Sequence, residues 1–260
     1  MSRITQKGAT GPLSLVANGA FQSSTDASLE TLVGSRWDTS DGRELIMVQA
    51  GAATTIAAGL LYQDPAIVAN HTNLGVTAYQ AYSANGNVPA KITVTLGATA
   101  VTANQYAGGF VIIRDGTGEG QTARIASHPA ADGSATCAFT LEEGFTVAPV
   151  GSASEANLIP AHGNGVIITP TTTATNGAYA GIGLYAFAAA SYGFLVCKGV
   201  TAALSDASEP VVGTAIAASL ATGGAVADVA YAGNVLTGSV IGNAVQTGAS
   251  GEYSAVYVNL

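Results

Sequence analysis

Charged side chains are scarce in this chain, and their scarcity is the strongest constraint on what it can fold into. Asp, Glu, Lys and Arg make up 9% of the 260 residues, against about 25% in an ordinary soluble domain. Exposed charges are the usual means by which a protein keeps its sheet edges from pairing with other chains. A strand-rich chain that largely omits them is expected to cover its edges by assembling with copies of itself.

Residues 178–197 are the most apolar stretch and approach the length of a membrane helix. The stretch carries three Gly, a Ser and three Tyr, follows the β-favouring run 171–173, and has no basic anchor on its N-terminal side. The first eight residues have the positive start of a signal peptide but no apolar segment behind it. The sequence therefore predicts no membrane partner, and synthesis in the cytoplasm.

The net charge of −8 is unevenly distributed along the chain. Seven of the eight basic residues precede residue 131, and Lys198 is the eighth. The second half is therefore a poor surface for nucleic acid, and the basic residues of the first half form no run. We expect no nucleic-acid partner.

The pattern of short apolar runs separated by Gly, Pro and Asn predicts an all-β protein. The clearest strand is 91–96, where Ile92, Val94 and Leu96 alternate with polar residues. The runs 111–114 and 121–127 predict a hairpin with 115–120 as its tip, and 43–49 is expected to pair with 52–62. Further strands are predicted at 136–141, 165–169, 192–198, 210–216, 234–240 and 253–259.

Composition divides the chain into an arm and two lobes. Residues 1–22 are polar and without periodicity, which predicts an extended N-terminal arm. One short helix is predicted near 26–33, with Asp26 as N-cap and Gly34 as its stop. Charges nearly vanish after Pro160, so we expect two β-sandwich or barrel-like lobes, 23–160 and 161–260.

No motif in the sequence predicts a reaction centre, a metal or a cofactor. The glycine-rich tract 115–120 lacks the lysine of a phosphate loop and the acidic spacing of a calcium loop, so a hairpin tip is the favoured interpretation over a weak cation site or a partner contact. His71, His128 and His162 are isolated from one another in the sequence. Cys137 and Cys197 are expected to be buried thiols, with a bridge or a reactive thiol as the alternatives. We expect no enzyme.

Several tracts resemble virion structural proteins of tailed bacteriophages, of the type found in marine and cyanobacterial phages. They are 40–44 with 48–49, 93–102, 104–110 with 113–121, and 251–253 with 256–258. Within that group the chain is similar to capsid decoration, or cement, proteins. The long middle region exceeds the compact single-barrel members, which leaves room for a tail or other head component.

The resemblance implies a non-enzymatic protein of the virion's capsid surface. Its partners would be copies of itself, with a homotrimer favoured, and the major capsid protein, which it would bind across capsomer junctions. The arm residues Arg3 and Lys7, together with Arg36 and Arg43, are the predicted shell-binding residues. The alternatives are another virion component such as a tail protein, or a receptor- or carbohydrate-binding module using Trp37 and the tyrosines.

Overall fold

The computed structural model describes residues 4–6, 24–83, 88–151, 153–171, 177–207, 210–229, 231–232, 235–236 and 239–260. The protein is nearly all β, as predicted, and its described strands curl into two separate units. One unit comprises Ala66–Ala161, and we call it the barrel unit. The other comprises Met1–Pro65 and His162–Leu260, and we call it the sheet unit.

Nineteen strands and two 3₁₀ helices make up the described elements. The strands are β1 (Ile4–Gln6), β2 (Arg36–Thr39), β3 (Glu44–Gln49), β4 (Leu61–Gln63), β5 (Leu74–Gln80), β6 (Lys91–Thr95), β7 (Phe110–Asp115), β8 (Thr122–Ser127), β9 (Thr136–Leu141), β10 (Glu155–Ile159), β11 (Ile167–Ile168), β12 (Tyr179–Gly183), β13 (Tyr192–Leu204), β14 (Ala215–Ala218), β15 (Val226–Asp228), β16 (Tyr231–Ala232), β17 (Val235–Leu236), β18 (Gly242–Ala244) and β19 (Tyr253–Asn259). The 3₁₀ helices are Ala27–Leu32 and Ala69–His71.

The barrel unit is a closed barrel of six antiparallel strands in the order β10-β5-β6-β9-β8-β7. Every second side chain of a strand points into the barrel and fills it. In β6, Ile92 and Val94 are buried while Lys91 and Thr95 are exposed. The same pattern in the other five strands closes one apolar core inside the barrel. The predicted strand 91–96 and the predicted hairpin are confirmed, since β7 pairs with β8 around the 116–121 turn.

The sheet unit is built on one long strand, β13. Its first half pairs with β3, and its second half pairs with β19, in a sheet ordered β1-β2-β3-β13-β19-β18-β14-β15. A branch formed by β12, β4 and β11 also joins this sheet through β13. Three apolar clusters lie in the unit, and one of them surrounds the fully buried Trp37 and Phe194.

The division into units differs from the lobes predicted at 23–160 and 161–260. The boundary near residue 160 is present, but residues 24–65 belong with 162–260. The reason is long-range pairing: β3 lies against β13, with Ile46 opposite Leu195, and β4 lies against β11 and β12. The barrel unit is thus an insertion in the sheet unit.

Two local predictions also need correction. The short helix at 26–33 is present, but as a 3₁₀ helix over Ala27–Leu32, with the N–H of Leu29 donating to the carbonyl of Asp26. The expected pairing of 43–49 with 52–62 is wrong, because β3 pairs with β2 and β13. Of the predicted arm 1–22, the structure describes residues 4–6, which form β1 beside β2, and the rest lies outside the described residues.

Candidate interaction surface

The antiparallel pair β13–β19 has one buried face and one exposed face. Thr201, Ala203, Val256 and Val258 point into the unit and are buried. The outward residues form cross-strand rows. From one end to the other the rows are Lys198–Asn259, Val200–Tyr257, Ala202–Ala255 and Leu204–Tyr253. We call these eight residues the β13–β19 face.

Large apolar side chains of this face lie open to solvent. Val200 is 49% exposed, Tyr253 58% and Tyr257 40%. The neighbouring strand β18 extends the same face, because Asn243 lies opposite Tyr257, and beyond that strand the exposed Val245 donates its N–H to the carbonyl of Ala255. Isolated exposed apolar residues are normal, but a contiguous group of them in a sheet indicates an interaction surface.

A shallow groove of about 350 Å³ lies at the Lys198 end of the face. Its walls are Val200 and Tyr257 on one side and the β2–β3 turn, Asp41 to Arg43, on the other. The predicted residue Arg43 is therefore placed beside the exposed apolar face, which sequence reasoning did not foresee. Arg and Tyr are both enriched in protein interfaces.

The β2–β3 turn holds Arg43 in a fixed position. Arg43 donates from Nε and from Nη2 to Asp41 Oδ2, at 3.0 and 2.6 Å. The Thr39 hydroxyl also bonds to Asp41, and the Arg43 N–H donates to Thr39 Oγ1 at 3.0 Å. The Arg43 guanidinium and the Thr39 hydroxyl hold the pKa of the Asp41 carboxyl well below its usual range. At neutral pH the Asp41–Arg43 ion pair therefore has no net charge and keeps the turn ordered.

β13 bends where it changes partner. The pairing with β3 shifts register between Val196 and Lys198, and Gly199 follows with φ +107°. A Cβ atom at Gly199 would lie 2.9 Å from Arg43 Cγ, so the backbone approaches the side chain closely. A bulge followed by glycine is a common way for one strand to pass from one packed layer to the next.

Arg36 has a different environment from Arg43. Its Nη1 donates to Glu44 Oε1 at 2.8 Å and to the Leu260 carbonyl at 3.2 Å, and Cys197 Sγ lies 3.7 Å away. The bond to Glu44 raises the pKa of Arg36 despite partial burial. These contacts give Arg36 a structural role in joining β2 and β3 to the end of β19. Shell binding by Arg36 stays a prediction, and Arg3 and Lys7 lie outside the described residues.

The three histidines all have internal partners. His71 Nε2 donates to the Thr99 carbonyl at 3.0 Å, and its Nδ1 lies 2.6 Å from the Tyr106 hydroxyl oxygen. His128 Nδ1 donates to the Pro129 carbonyl at 2.8 Å, and its Nε2 accepts the Tyr106 N–H at 3.0 Å. His162 Nδ1 lies 2.7 Å from Asp64 Oδ2. Sequence spacing gave no sign that His71, Tyr106 and His128 form one cluster.

The other candidate groups from the sequence also have structural positions. Neither Cys137 nor Cys197 is in a disulfide, and both thiols are buried, as expected. The tract 115–120 is the tip of the β7–β8 hairpin, and Gly116, Gly118 and Gly120 all have positive φ there. Within the described ranges no group of three or more His, Cys, Asp or Glu is placed to hold a metal ion.

Trp37 is fully buried and lies 5.9 Å from the ring of Phe194, centroid to centroid. A buried indole cannot stack against a sugar in solution. Carbohydrate binding through Trp37 is therefore excluded, and the exposed aromatic residues include Tyr82, Tyr253 and Tyr257.

No protein-family model, curated protein or solved structure matches the chain. In the part of the chain that the structure describes, no helix has the length and apolar character needed to cross a bilayer. The run 178–197 instead forms β12 and the first part of β13.

Proposed function

We propose that the protein is a non-enzymatic capsid decoration, or cement, protein of a tailed bacteriophage. It forms a homo-oligomer and binds the major capsid protein on the outer shell, across capsomer junctions. The observation that supports this role is the exposed, almost uncharged β13–β19 face of an all-β protein. Such a face suits permanent contact with other subunits better than free diffusion.

Adhesion by several connected subunits is the mechanism of such a protein. One subunit bound to the shell holds the next at a high effective concentration, so modest single contacts add up to lasting attachment. An oligomer bound across a capsomer junction in this way resists separation of the capsomers without any chemical step. Synthesis in the host cytoplasm and residence on the virion surface follow from this role.

The N-terminal segment is the proposed tether to the shell. Its strand β1 pairs with β2, Ile4 opposite Thr39 and Gln6 opposite Trp37. Arg3 and Lys7 flank this strand in the sequence, and the hairpin that β2 forms with β3 carries Arg43. Basic groups on the tether would meet acidic groups on a capsid protein, and such contacts orient an encounter more than they add affinity.

Deletion of residues 1–22 tests the tether. The shortened protein is expected to lose co-sedimentation with phage particles while keeping its cooperative unfolding. Because the deletion also removes β1, a second variant, Arg3→Ala with Lys7→Ala, keeps the strand and is expected to slow association with particles about tenfold. Lys91→Ala in the barrel unit is the matched control. Stoichiometric particle binding by the deletion variant would refute the tether.

A receptor- or carbohydrate-binding virion module is the second candidate, supported by the exposure of Tyr82, Tyr253 and Tyr257. Exposed tyrosines are the groups on which sugar rings stack. Glycan binding that is lost in Tyr253→Ala, together with no affinity for particles, would favour this candidate over decoration.

A further inference from the structure

We propose that the β13–β19 face binds the same face of a second copy, stacked with strands antiparallel about a two-fold axis at the Thr201–Val256 pair. The inference rests on the proposed function, because it assigns the self-association of a decoration protein to a surface. The occupant is a second copy of this chain, and the argument depends on the order of large, small and charged side chains along the face.

The rows of the face are complementary to themselves in size. Val200–Tyr257 is a large row and Ala202–Ala255 is a small one, and the Thr201–Val256 pair lies between them. A two-fold axis that lies between the two sheets above that pair, parallel to the sheets and perpendicular to the strands, sets the large row of each copy over the small row of the other. Large side chains over alanines let two sheets approach to the usual spacing of about 10 Å.

The charges of the face have a direction. Lys198 stands at one end of the face, and Glu252, the residue that precedes Tyr253, lies just beyond the other end. Both are exposed, and none of the ion pairs in the described part of the chain includes either of them. Antiparallel stacking brings each Lys198 to the Glu252 end of the other copy. Parallel stacking would instead bring the two Lys198 ends together and the two Glu252 ends together, so charge selects the antiparallel arrangement.

The size of the face predicts a weak, reversible pair. Six residue steps from Lys198 to Leu204 span about 20 Å, and three strands are roughly 15 Å wide, which gives on the order of 300 Å². A standard interface covers about 800 Å² on each partner. The pair is therefore expected to form and dissociate with concentration in solution and to become permanent where a shell holds the copies together.

This arrangement differs from the homotrimer that the family resemblance implies. A two-fold interface closes on itself and gives a dimer in solution. If trimers form through other surfaces, this face would join one trimer to another. The mass in solution therefore separates the two expectations.

Sedimentation equilibrium of the full-length protein over the micromolar to millimolar range tests the interface. The wild type is expected to show a monomer–dimer equilibrium. Ala202→Tyr fills the small row and is expected to abolish the dimer, whereas Val147→Lys, at an exposed valine of the barrel unit, is expected to leave it unchanged. A wild type that stays monomeric, or a dimer unaffected by Ala202→Tyr, would overturn the proposal.

Charge exchange tests the orientation. Lys198→Glu and Glu252→Lys are each expected to weaken the dimer about tenfold, since each places repulsion at two symmetric sites. The double variant is expected to restore wild-type affinity, because it reverses both partners. Failure of the double variant to recover would overturn the antiparallel stacking.

Particle binding is measured separately, so that the two proposals fail in different ways. A wild type that binds particles and never dimerises overturns the interface alone. A wild type that dimerises through this face and has no affinity for capsids supports the interface and overturns the decoration role.

Discussion

At the scale of single residues, the cluster of His71, Tyr106 and His128 is the most specific arrangement in the barrel unit. The bonds of His128 require a neutral imidazole with its proton on Nδ1, because Nδ1 faces the Pro129 carbonyl and Nε2 accepts the Tyr106 N–H. His71 places Nε2 at the Thr99 carbonyl and Nδ1 at the Tyr106 hydroxyl. Burial raises the pKa of Tyr106 to about 12, so the hydroxyl remains a donor. Burial, opposed in part by the Pro129 carbonyl, lowers the pKa of His128.

The lowered pKa of His128 predicts that acid destabilises the barrel unit. The folded protein takes up this proton at a lower pH than the unfolded chain, whose histidine has a pKa of about 6.5. The contribution of His128 to the free energy of unfolding is therefore fully present above that value and is lost as the pH drops below it. A proton on Nε2 would also face the Tyr106 N–H, donor against donor. Urea unfolding from pH 8 down to pH 5 measures the effect.

His128→Gln is the matched variant for this experiment. The Gln carbonyl can accept the Tyr106 N–H without titrating, while the bond to Pro129 is lost, at a cost of about 1–3 kcal/mol at neutral pH. Its unfolding free energy is expected to change less than that of the wild type between pH 7 and pH 5. Equal slopes for the two proteins would show that His128 is not the titrating group.

At the scale of elements, β13 contributes residues to all three apolar clusters of the sheet unit. The irregularity at Gly199 lies where the strand changes its partner from β3 to β19. Gly199→Ala is expected to destabilise the protein by about 2–4 kcal/mol, because alanine is strained at φ +107° and its Cβ would press on Arg43. Gly75→Ala in β5 is the control, since nothing lies within 4 Å of a Cβ there, and its effect should stay within about 0.5 kcal/mol. Urea unfolding of both variants gives the comparison, and equal stabilities would contradict a strained bend.

The same strand shows what the sequence can and cannot predict. The strands 136–141 and 253–259 were predicted with their observed bounds, because alternation and flanking turns are local signals. β13 was predicted to end at Lys198, but it continues to Leu204, since a charged residue on the wet face does not end a strand. The β13–β19 face was missed for that reason. Tyr62 opposite Ile168 is a contact between distant segments that no local pattern encodes.

At the scale of the whole molecule, the chain leaves the sheet unit after Pro65 and returns to it at His162. Hydrogen bonds hold the outgoing and the returning chain together next to Pro65 and His162. Asp64 accepts from the Gly163 N–H at 2.8 Å and lies 2.7 Å from His162 Nδ1, and its own N–H donates to the Ala178 carbonyl at 2.8 Å. Ends held this close make the inserted segment resemble a domain inserted in a surface turn.

This geometry predicts that each unit folds without the other. Residues 66–161 alone, at about 100 residues with a closed barrel and its own core, are large enough to fold independently. The remaining chain, with Pro65 joined to His162 through a short Gly-Ser linker, is expected to keep its cooperative unfolding, because Asp64 already holds the two ends together. Near-ultraviolet circular dichroism and urea unfolding of both products measure this, with Asp64→Ala in the joined chain as a variant expected to lose about 1–3 kcal/mol. A barrel segment that unfolds without cooperativity would show that its own core does not suffice for folding. A joined chain whose free energy of unfolding is unchanged by Asp64→Ala would show that Asp64 does not hold the two ends together.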